Sequence, residues 1–372
     1  MTLAYAKSTS AYAKSTSAHA RECPNHRDNH LCSPALRAGE HEKLSETDIP
    51  SCQVSVGWRF PLWARGLNMN LIHRIDHTLF LRRRIMKRTL YPTPGDFLQD
   101  NRLFLEEHEA LCQLNLRNAQ ANREDPCSPS LLFGRYEANG EPVLLFGSAL
   151  PWNLCLNAPS GTASLSAQAA AELAAWLRAE NIPIAGVTAR EELCQAFMGA
   201  YGGEFTQRSA MDIMVLTELI EPPAVSGTVR PARGEDLDTI CQWAHAFYRE
   251  ALHEEGDPET IRQHNQERIQ KGEIRVLELP GGELASMAYT SRETERGIAI
   301  SGVYTPPEHR GKGYCQATVG ALCRELLARG KDYCTLFVNR ENPISNRVYR
   351  KTGFQVLEDC WEYRLEEPSS SR

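Results

Sequence analysis

The stretch Arg310-Gly311-Lys312-Gly313-Tyr314-Cys315 sets two glycines and two cations directly ahead of a helical pattern. Glycine tolerates positive φ and has no Cβ, so successive peptide N–H groups can turn towards one point, an arrangement suited to an anion such as a pyrophosphate. Val319, Leu322, Cys323, Leu326 and Leu327 then recur at core spacing. The helix they predict brings its positive dipole end and its unpaired N–H groups to the same turn. The spacing is neither that of a Walker-type phosphate loop nor that of the dinucleotide-binding glycine pattern, so nucleotide hydrolysis and dinucleotide binding find no support. A glycine-rich turn alone also reads as an ordinary helix start, and a second segment downstream decides between the two.

After the apolar run CTLFV comes NPISNRVYRKTGF. Asn342 reads as an N-cap, Pro343 as the first helical residue and Gly353 as the terminator, with Ile344 and Val348 facing the core. Tyr349, next to Val348 and four residues after Ser345, is expected at the edge of that core with its hydroxyl turned into a cleft.

The two segments together resemble the GNAT superfamily of acyl-CoA-dependent N-acyltransferases. Its phosphate-loop pattern falls on Arg310, Gly313 and Cys315, and its later pattern on Asn342, Ser345, Tyr349, Gly353 and Phe354. Cys315 departs from the usual Gly or Ala but is still small. The resemblance spans roughly residues 228–366, and the whole chain looks like two-lobed bacterial proteins with a degenerate N-terminal lobe before an active C-terminal one. It implies acetyl-CoA as co-substrate, without a metal. The pyrophosphate would lie on the N–H groups of Gly311, Lys312, Gly313, Tyr314 and Cys315, with Arg310 adding charge. The pantetheine arm would run along Val303, Tyr304 and Thr305, placed like an added strand. Gly302 would take up the distortion that splays this strand from its neighbour. Asn342 and Ser345 would be coenzyme contacts, and Tyr349 would be the general acid that protonates the departing thiolate. The acceptor would be the amine of a small molecule or peptide. Its base is not identified: Glu250, Glu254 and Glu255 read either as a solvated helix end or as selectors of a cationic acceptor. A non-catalytic acyl-CoA-binding or regulatory module, and transfer of a longer acyl group, both stay open. Cys315, Cys323 and Cys334 have no histidine in the same motifs to activate them, which disfavours covalent catalysis.

The elements that must position these residues are set by periodicity and turn chemistry. Residues 86–220 read as a degenerate N-terminal lobe: helical spacing through Phe97, Phe104, Leu105, Leu111 and Leu114, a hairpin at Asn139-Gly140, a helix in AQAAAELAAWLRAEN, a buried strand in IPIAGV, a helix ending at Gly202 and a strand in MDIMVL. Residues 221–227 read as a linker. From residue 228 to 366 come an amphipathic helix around Ile240 and Ala244, a second helix capped by Asp257-Pro258 and closed by Gly272, a hairpin through Pro280-Gly281-Gly282, and the strand GIAISGVYT. Residues 367–372 form a tail. The expected class is α/β (α+β), two GNAT-like lobes each with a mostly antiparallel mixed sheet flanked by helices. The lobes share an order of elements, as a divergent duplication would leave, but NAPSGTASLS in the first lobe has no basic residue where the second has PPEHRGKGYC.

Composition bounds the rest. The net charge of -6 conceals a split, about +7 over residues 1–90 and about -13 over the remainder. An acidic body repels polyanions, which argues against nucleic acid as a partner. No apolar run approaches the length of a membrane helix, about 20 residues, and twelve scattered cysteines without a CxxC pair read as reduced thiols. A soluble cytoplasmic protein is the expectation; its oligomeric state is unreadable. Residues 1–85, with the tandem repeat AYAKSTS at 4–17, read as disordered or as a mis-annotated extension, translation then starting at Met69 or Met86. Cys23, His26, His30 and Cys32 within it match no standard zinc spacing.

Overall fold

The computed structural model describes residues 86–252 and 255–366. The repeat, the expected disorder of residues 1–85, the Cys/His cluster, Met69, Glu254 and the 367–372 tail lie outside the described residues.

The first half runs β1 (Lys87–Leu90), α1 (Pro94–Asp100), α2 (Arg102–Glu107), α3 (Glu109–Ala121), β2 (Leu131–Ala138), β3 (Glu141–Ala149), β4 (Leu154–Asn157), α4 (Ala163–Ala179), β5 (Gly186–Ala189), α5 (Glu191–Tyr201) and β6 (Phe205–Leu216). The apolar periodicity after Pro92 makes three short helices. They break at Asn101 and His108, and the buried Asn101 side chain bonds the Phe97 carbonyl and the Tyr91 hydroxyl at the first break. The IPIAGV strand is shorter than its apolar run, with ladder pairing starting at Gly186.

The second half runs β7 (Thr228–Pro231), α6 (Leu237–Phe247) extended by a π-type turn at Tyr248–Leu252, α7 (Pro258–Gln270), β8 (Ile274–Glu278), β9 (Leu284–Glu293), β10 (Gly297–Tyr304), α8 (Tyr314–Ala328), β11 (Tyr333–Asn339), α9 (Pro343–Thr352) and β12 (Gln355–Leu365). Asp257 caps α7 by accepting from the Thr260 N–H at 2.9 Å, as the sequence predicts. In α9, by contrast, Ile344 is 75% exposed, and the buried stripe is Asn346, Tyr349 and Thr352. The Asn346 amide reaches the carbonyls of Asn339 and Asn342, which turns this polar residue inwards in place of Ile344.

All twelve strands join one sheet, in the order β1-β2-β3-β4-β5-β12-β6-β11-β10-β9-β8-β7. The order is symmetric about its centre. Each half forms an antiparallel run (β1 to β4, β7 to β10) followed by a parallel pair, β4 with β5 and β10 with β11. The final strands are exchanged: β12 pairs with β5 of the first half, and β6 with β11 of the second. β6 and β12 then pair antiparallel with each other from Phe205–Leu365 to Val215–Gln355. This matching order supports duplication as the origin of the two halves.

Helices cover both faces of each half. α6 and α7 pack on one face of the second half through Ile240, Trp243, Ala244 and Ile261 against Ile274, Met287, Tyr289 and Tyr304. α8 and α9 pack on the other through Val319, Leu322, Leu326 and Tyr349 against Ile298, Ile300, Leu336, Met214 and Leu216. That second core takes Met214 and Leu216 from the first half. The connector between the halves lies along α8, so close that a Cβ on Gly320 would come within 2.8 Å of the Pro222 ring.

Because each half completes the other's sheet, the described body is expected to unfold as one cooperative unit. Met214→Ala should cost about 2–5 kcal/mol and shift a single transition. Two separate transitions by circular dichroism in denaturant would contradict this reading of the exchange.

Candidate functional site

β10 and β11 run in register only from Gly297 to Ala299 against Tyr333 to Thr335. Beyond Ala299 they part. β11 continues to Asn339, bonded to β6 on its other side, while β10 stays with β9. The pairing of β10 with β9 slips by one residue between Ser301–Tyr289 and Tyr304–Met287, a bulge centred on Gly302. Gly302 has φ +56°, and a Cβ there would lie 1.7 Å from the Tyr289 ring. Only glycine satisfies both the backbone and the ring. The β10 edge that faces β11 is therefore left without a strand partner from Ile300 to Tyr304, which includes Val303 and Tyr304.

The chain then passes Thr305, whose hydroxyl shares a hydrogen bond with Ser286 at 2.9 Å, and turns at Pro307–His309 into the glycine segment. Gly311 and Gly313 have φ +77° and +83°, and Gly313 is the residue before α8. The first bond of this helix runs from the Ala317 N–H to the Gly313 carbonyl, so the N–H groups of Tyr314, Cys315 and Gln316 have no partner within the helix. The space beside Gly311 is open to 4 Å. Lys312 is exposed and makes no ion pair among the described residues. The turn and the parted strands thus adjoin, and the fit to a diphosphate with an extended arm is good: an open, N–H-rich helix end leads to an unpaired strand edge.

Arg310 is placed differently from its glycine neighbours. Its guanidinium bonds the Thr305 carbonyl at 2.9 Å and the Glu250 carboxylate at 2.6 Å. The Tyr304 hydroxyl donates to the other oxygen of Glu250 at 2.9 Å. Partial burial works to raise the Glu250 pKa, but the bonds from Arg310 and Tyr304 prevail and hold its carboxyl below the ordinary range. An ionised, doubly bonded Glu250 is a brace between the π-type turn after α6 and the end of β10. The sequence places Glu250 among the acids after α6 without this partnership, because nothing in local spacing links residue 250 to residues 304 and 310.

Tyr349 projects from α9 into the second core, 8% exposed, with its ring edge-on to Phe354 at 5.9 Å. Its hydroxyl makes no hydrogen bond among the described residues. Burial, with a smaller effect from Cys315, pushes the phenol well above its ordinary range, so Tyr349 is neutral and keeps its proton. Cys315, packed against the same core, is pushed up to about 12 by burial, which makes it a poor nucleophile. Asn342 accepts from the Ser345 N–H at 3.0 Å, the N-cap geometry. Its side chain is committed to the helix start, and Ser345 lies on the first turn. The structure thus joins the 303–305 strand end, the 310–315 turn and Tyr349 through Cys315, while Asn342 and Ser345 sit at the mouth of the neighbouring helix. No cluster of metal-ligating side chains occurs among the described residues, and no described helix is long and apolar enough to cross a membrane.

Residues 280–362, the segment holding the parted strands, the glycine turn and Tyr349, match the family model of the FR47-like proteins. A GCN5-related N-acetyltransferase from Sphaerobacter thermophilus superposes over 76% of this chain and 95% of its own, at 19% identity and a TM-score of 0.51. The chain carries a GNAT fold. Further GNAT likenesses at lower TM-scores are an acetyltransferase of the GNAT family from Colwellia psychrerythraea (12% identity, 75% of this chain and 100% of that one, 0.46) and a tandem GNAT protein from the clavulanic acid biosynthesis pathway (14%, 76% and 100%, 0.41). No curated protein matches the chain in sequence. Within this GNAT fold the first half has its own parallel pair, but its turn before α4, Ala158 to Thr162, carries no cation. In addition, Asn115 of α3 bonds the Cys155 carbonyl and Asn157 beside the end of β4.

Gly302 is the most demanding position in this arrangement. Gly302→Ala is expected to destabilise the protein by about 2 kcal/mol or more, through positive φ and the displaced Tyr289 ring. Denaturant unfolding of this variant beside Gly311→Ala, where the added methyl meets open space, checks it: a loss at Gly302 no larger than at Gly311 would refute the packing argument.

Proposed function

We propose that the protein is an acyl-CoA-dependent N-acyltransferase, acetyl-CoA being the donor, that transfers its acyl group directly to a primary amine in a ternary complex. The observation that carries this reading is the parting of β10 from β11 at the Gly302 bulge, directly upstream of the open N–H turn of Gly311 to Cys315. In this reading the diphosphate of the donor takes the N–H groups of Gly311 to Cys315 with Lys312, and its arm lies on the free edge of Val303 to Thr305. Arg310 acts mainly by holding Glu250 and the end of β10. Asn342 and Ser345 flank the donor from the start of α9.

Three requirements of the chemistry then fall to residues of this chain. The amine must reach the thioester carbonyl between the parted strands, and positioning of this kind contributes on the order of 7–11 kcal/mol in favourable cases. A main-chain N–H between Val303 and Thr305 polarises the carbonyl oxygen. Tyr349, a phenol that is protonated at neutral pH, supplies a proton to the departing sulfur. As the nitrogen bonds to the carbonyl carbon, the C–S bond breaks and its electron pair leaves with sulfur, which takes the Tyr349 proton. The proton lost by the nitrogen passes to solvent and restores the phenol. Glu250 does not serve as the base in this scheme, because both of its oxygens are already occupied.

Tyr349→Phe is expected to lower kcat by about 100-fold or more while leaving acetyl-CoA affinity within threefold, read by thiol release and by calorimetry. An unchanged kcat would remove Tyr349 as the acid. Absence of acetyl-CoA binding by the folded wild-type protein would overturn the function itself, and tight binding without turnover of any amine would favour a regulatory module.

A further inference from the structure

On the α6/α7 side of the parted strands two arginines lie near one buried tyrosine. Tyr289, 2% exposed, lies on the α6/α7 face of the sheet with its ring in the space a Gly302 side chain would fill. The Arg268 guanidinium, from α7, stacks on the other side of this environment at 4.4 Å from the ring centroid. Arg292, 7% exposed, stacks at 4.7 Å over Phe337 of β11 and faces the Gln113 amide oxygen of α3 at 3.5 Å. Both cations act on the Tyr289 phenol, opposing the rise caused by its burial. His264 lies one turn before Arg268 on α7, and burial together with Arg268 holds it below its ordinary range, so it is neutral at pH 7 despite Glu267 nearby.

The cluster has one guanidinium donor to spare. Arg268 makes no ion pair among the described residues, and its Nη1 is buried without a hydrogen-bond partner. On the same helix the Nδ1 of His264 is also buried and unpartnered. A guanidinium nitrogen withdrawn from water with no acceptor is costly unless an anion arrives. Glu250 does not meet the need, since Arg310 and Tyr304 occupy it. The donor's diphosphate does not meet it either: α8, whose N-terminus receives that group in the proposed reading, packs on the opposite face of the sheet from α7.

We propose that the acceptor is an amino acid or a close relative, an amine that also bears a carboxylate, with its carboxylate held by Arg268 beside Tyr289 and Arg292 and its amine directed to the strand gap at Gly302. This rests on the acyltransferase reading and specifies its substrate class. The planar guanidinium fork suits a carboxylate. Tyr289 links the two functions: one edge of its ring borders the bulge where the acyl group meets the amine, and its face receives the cation that holds the acid. The sequence reading of the acids after α6 allows a cationic acceptor; the geometry favours an anionic one.

The test uses the full-length protein with acetyl-CoA and three matched sets of amines: the L-amino acids, their carboxamides, and the amines that lack the carboxyl carbon. The expected result is acetylation of one or more amino acids with kcat/KM about 100-fold above the matching amide. Arg268→Gln should lower that value by about 100-fold, leave the rate on the amide within threefold and leave acetyl-CoA affinity unchanged, with Arg268→Lys recovering part of the loss. Calorimetry with acetyl-CoA on each variant shows that the fold and donor site are intact. Equal turnover of acids and amides, turnover of amines without a carboxylate alone, or an equal loss on acid and amide in Arg268→Gln overturns the proposal while leaving the acyltransferase reading in place. Failure of the wild-type protein to bind acetyl-CoA overturns both.

Discussion

Two neighbouring parallel strands that start in register and then separate create a problem of unpaired backbone. Peptide groups removed from a ladder must find other partners or water. In this chain each strand keeps the partner on its far side, β11 through six residues paired with β6 and β10 with β9 by way of the Gly302 bulge. The two edges that face the gap stay open, and the glycine turn and helix mouth lie directly after the β10 edge. The Tyr289 ring and the Glu250 brace fix the β10 side of this gap.

The partner that holds β11 in place comes from the other half of the molecule. If each half kept its own last strand, β11 would pair with β12. Exchange instead gives β11 to β6 and gives β12 to β5. The first half, whose own turn lacks cations, therefore contributes a wall of the second half's gap through β6, together with α3, whose Gln113 bonds Thr335 at 2.6 Å. A half whose own turn carries no cation thus still takes part in the gap of the other.

Local chemistry makes much of this legible in the sequence. The Asn139-Gly140 hairpin, the Asp257-Pro258 helix start, the glycine turn before α8 and the Asn342 cap all depend on residues within a few positions of one another, and all occur where spacing places them. Ile344 is the exception, because periodicity weighs an isoleucine as core, whereas the amide of Asn346 has carbonyls to satisfy and takes the inward position. The strand exchange and the cluster of Arg268, Tyr289 and Arg292 are invisible in the sequence for a different reason. They join residues far apart in the chain, and an arginine on a polar helix such as α7 reads as a solvated charge until the sheet beneath it is known.

The connector between the halves also acts as a mechanical part. Pro222 rests on Gly320, Val225 comes within 3.2 Å of where a Gly313 side chain would begin, and the Ile220 N–H bonds the Thr352 carbonyl at 2.9 Å. Prolines stiffen such a segment, so it behaves as a splint laid across α8 and the end of α9 rather than as a tether. Changes in its length would accordingly be felt at the N-terminus of α8, which makes the join between the two halves one of the least freely editable stretches of the molecule.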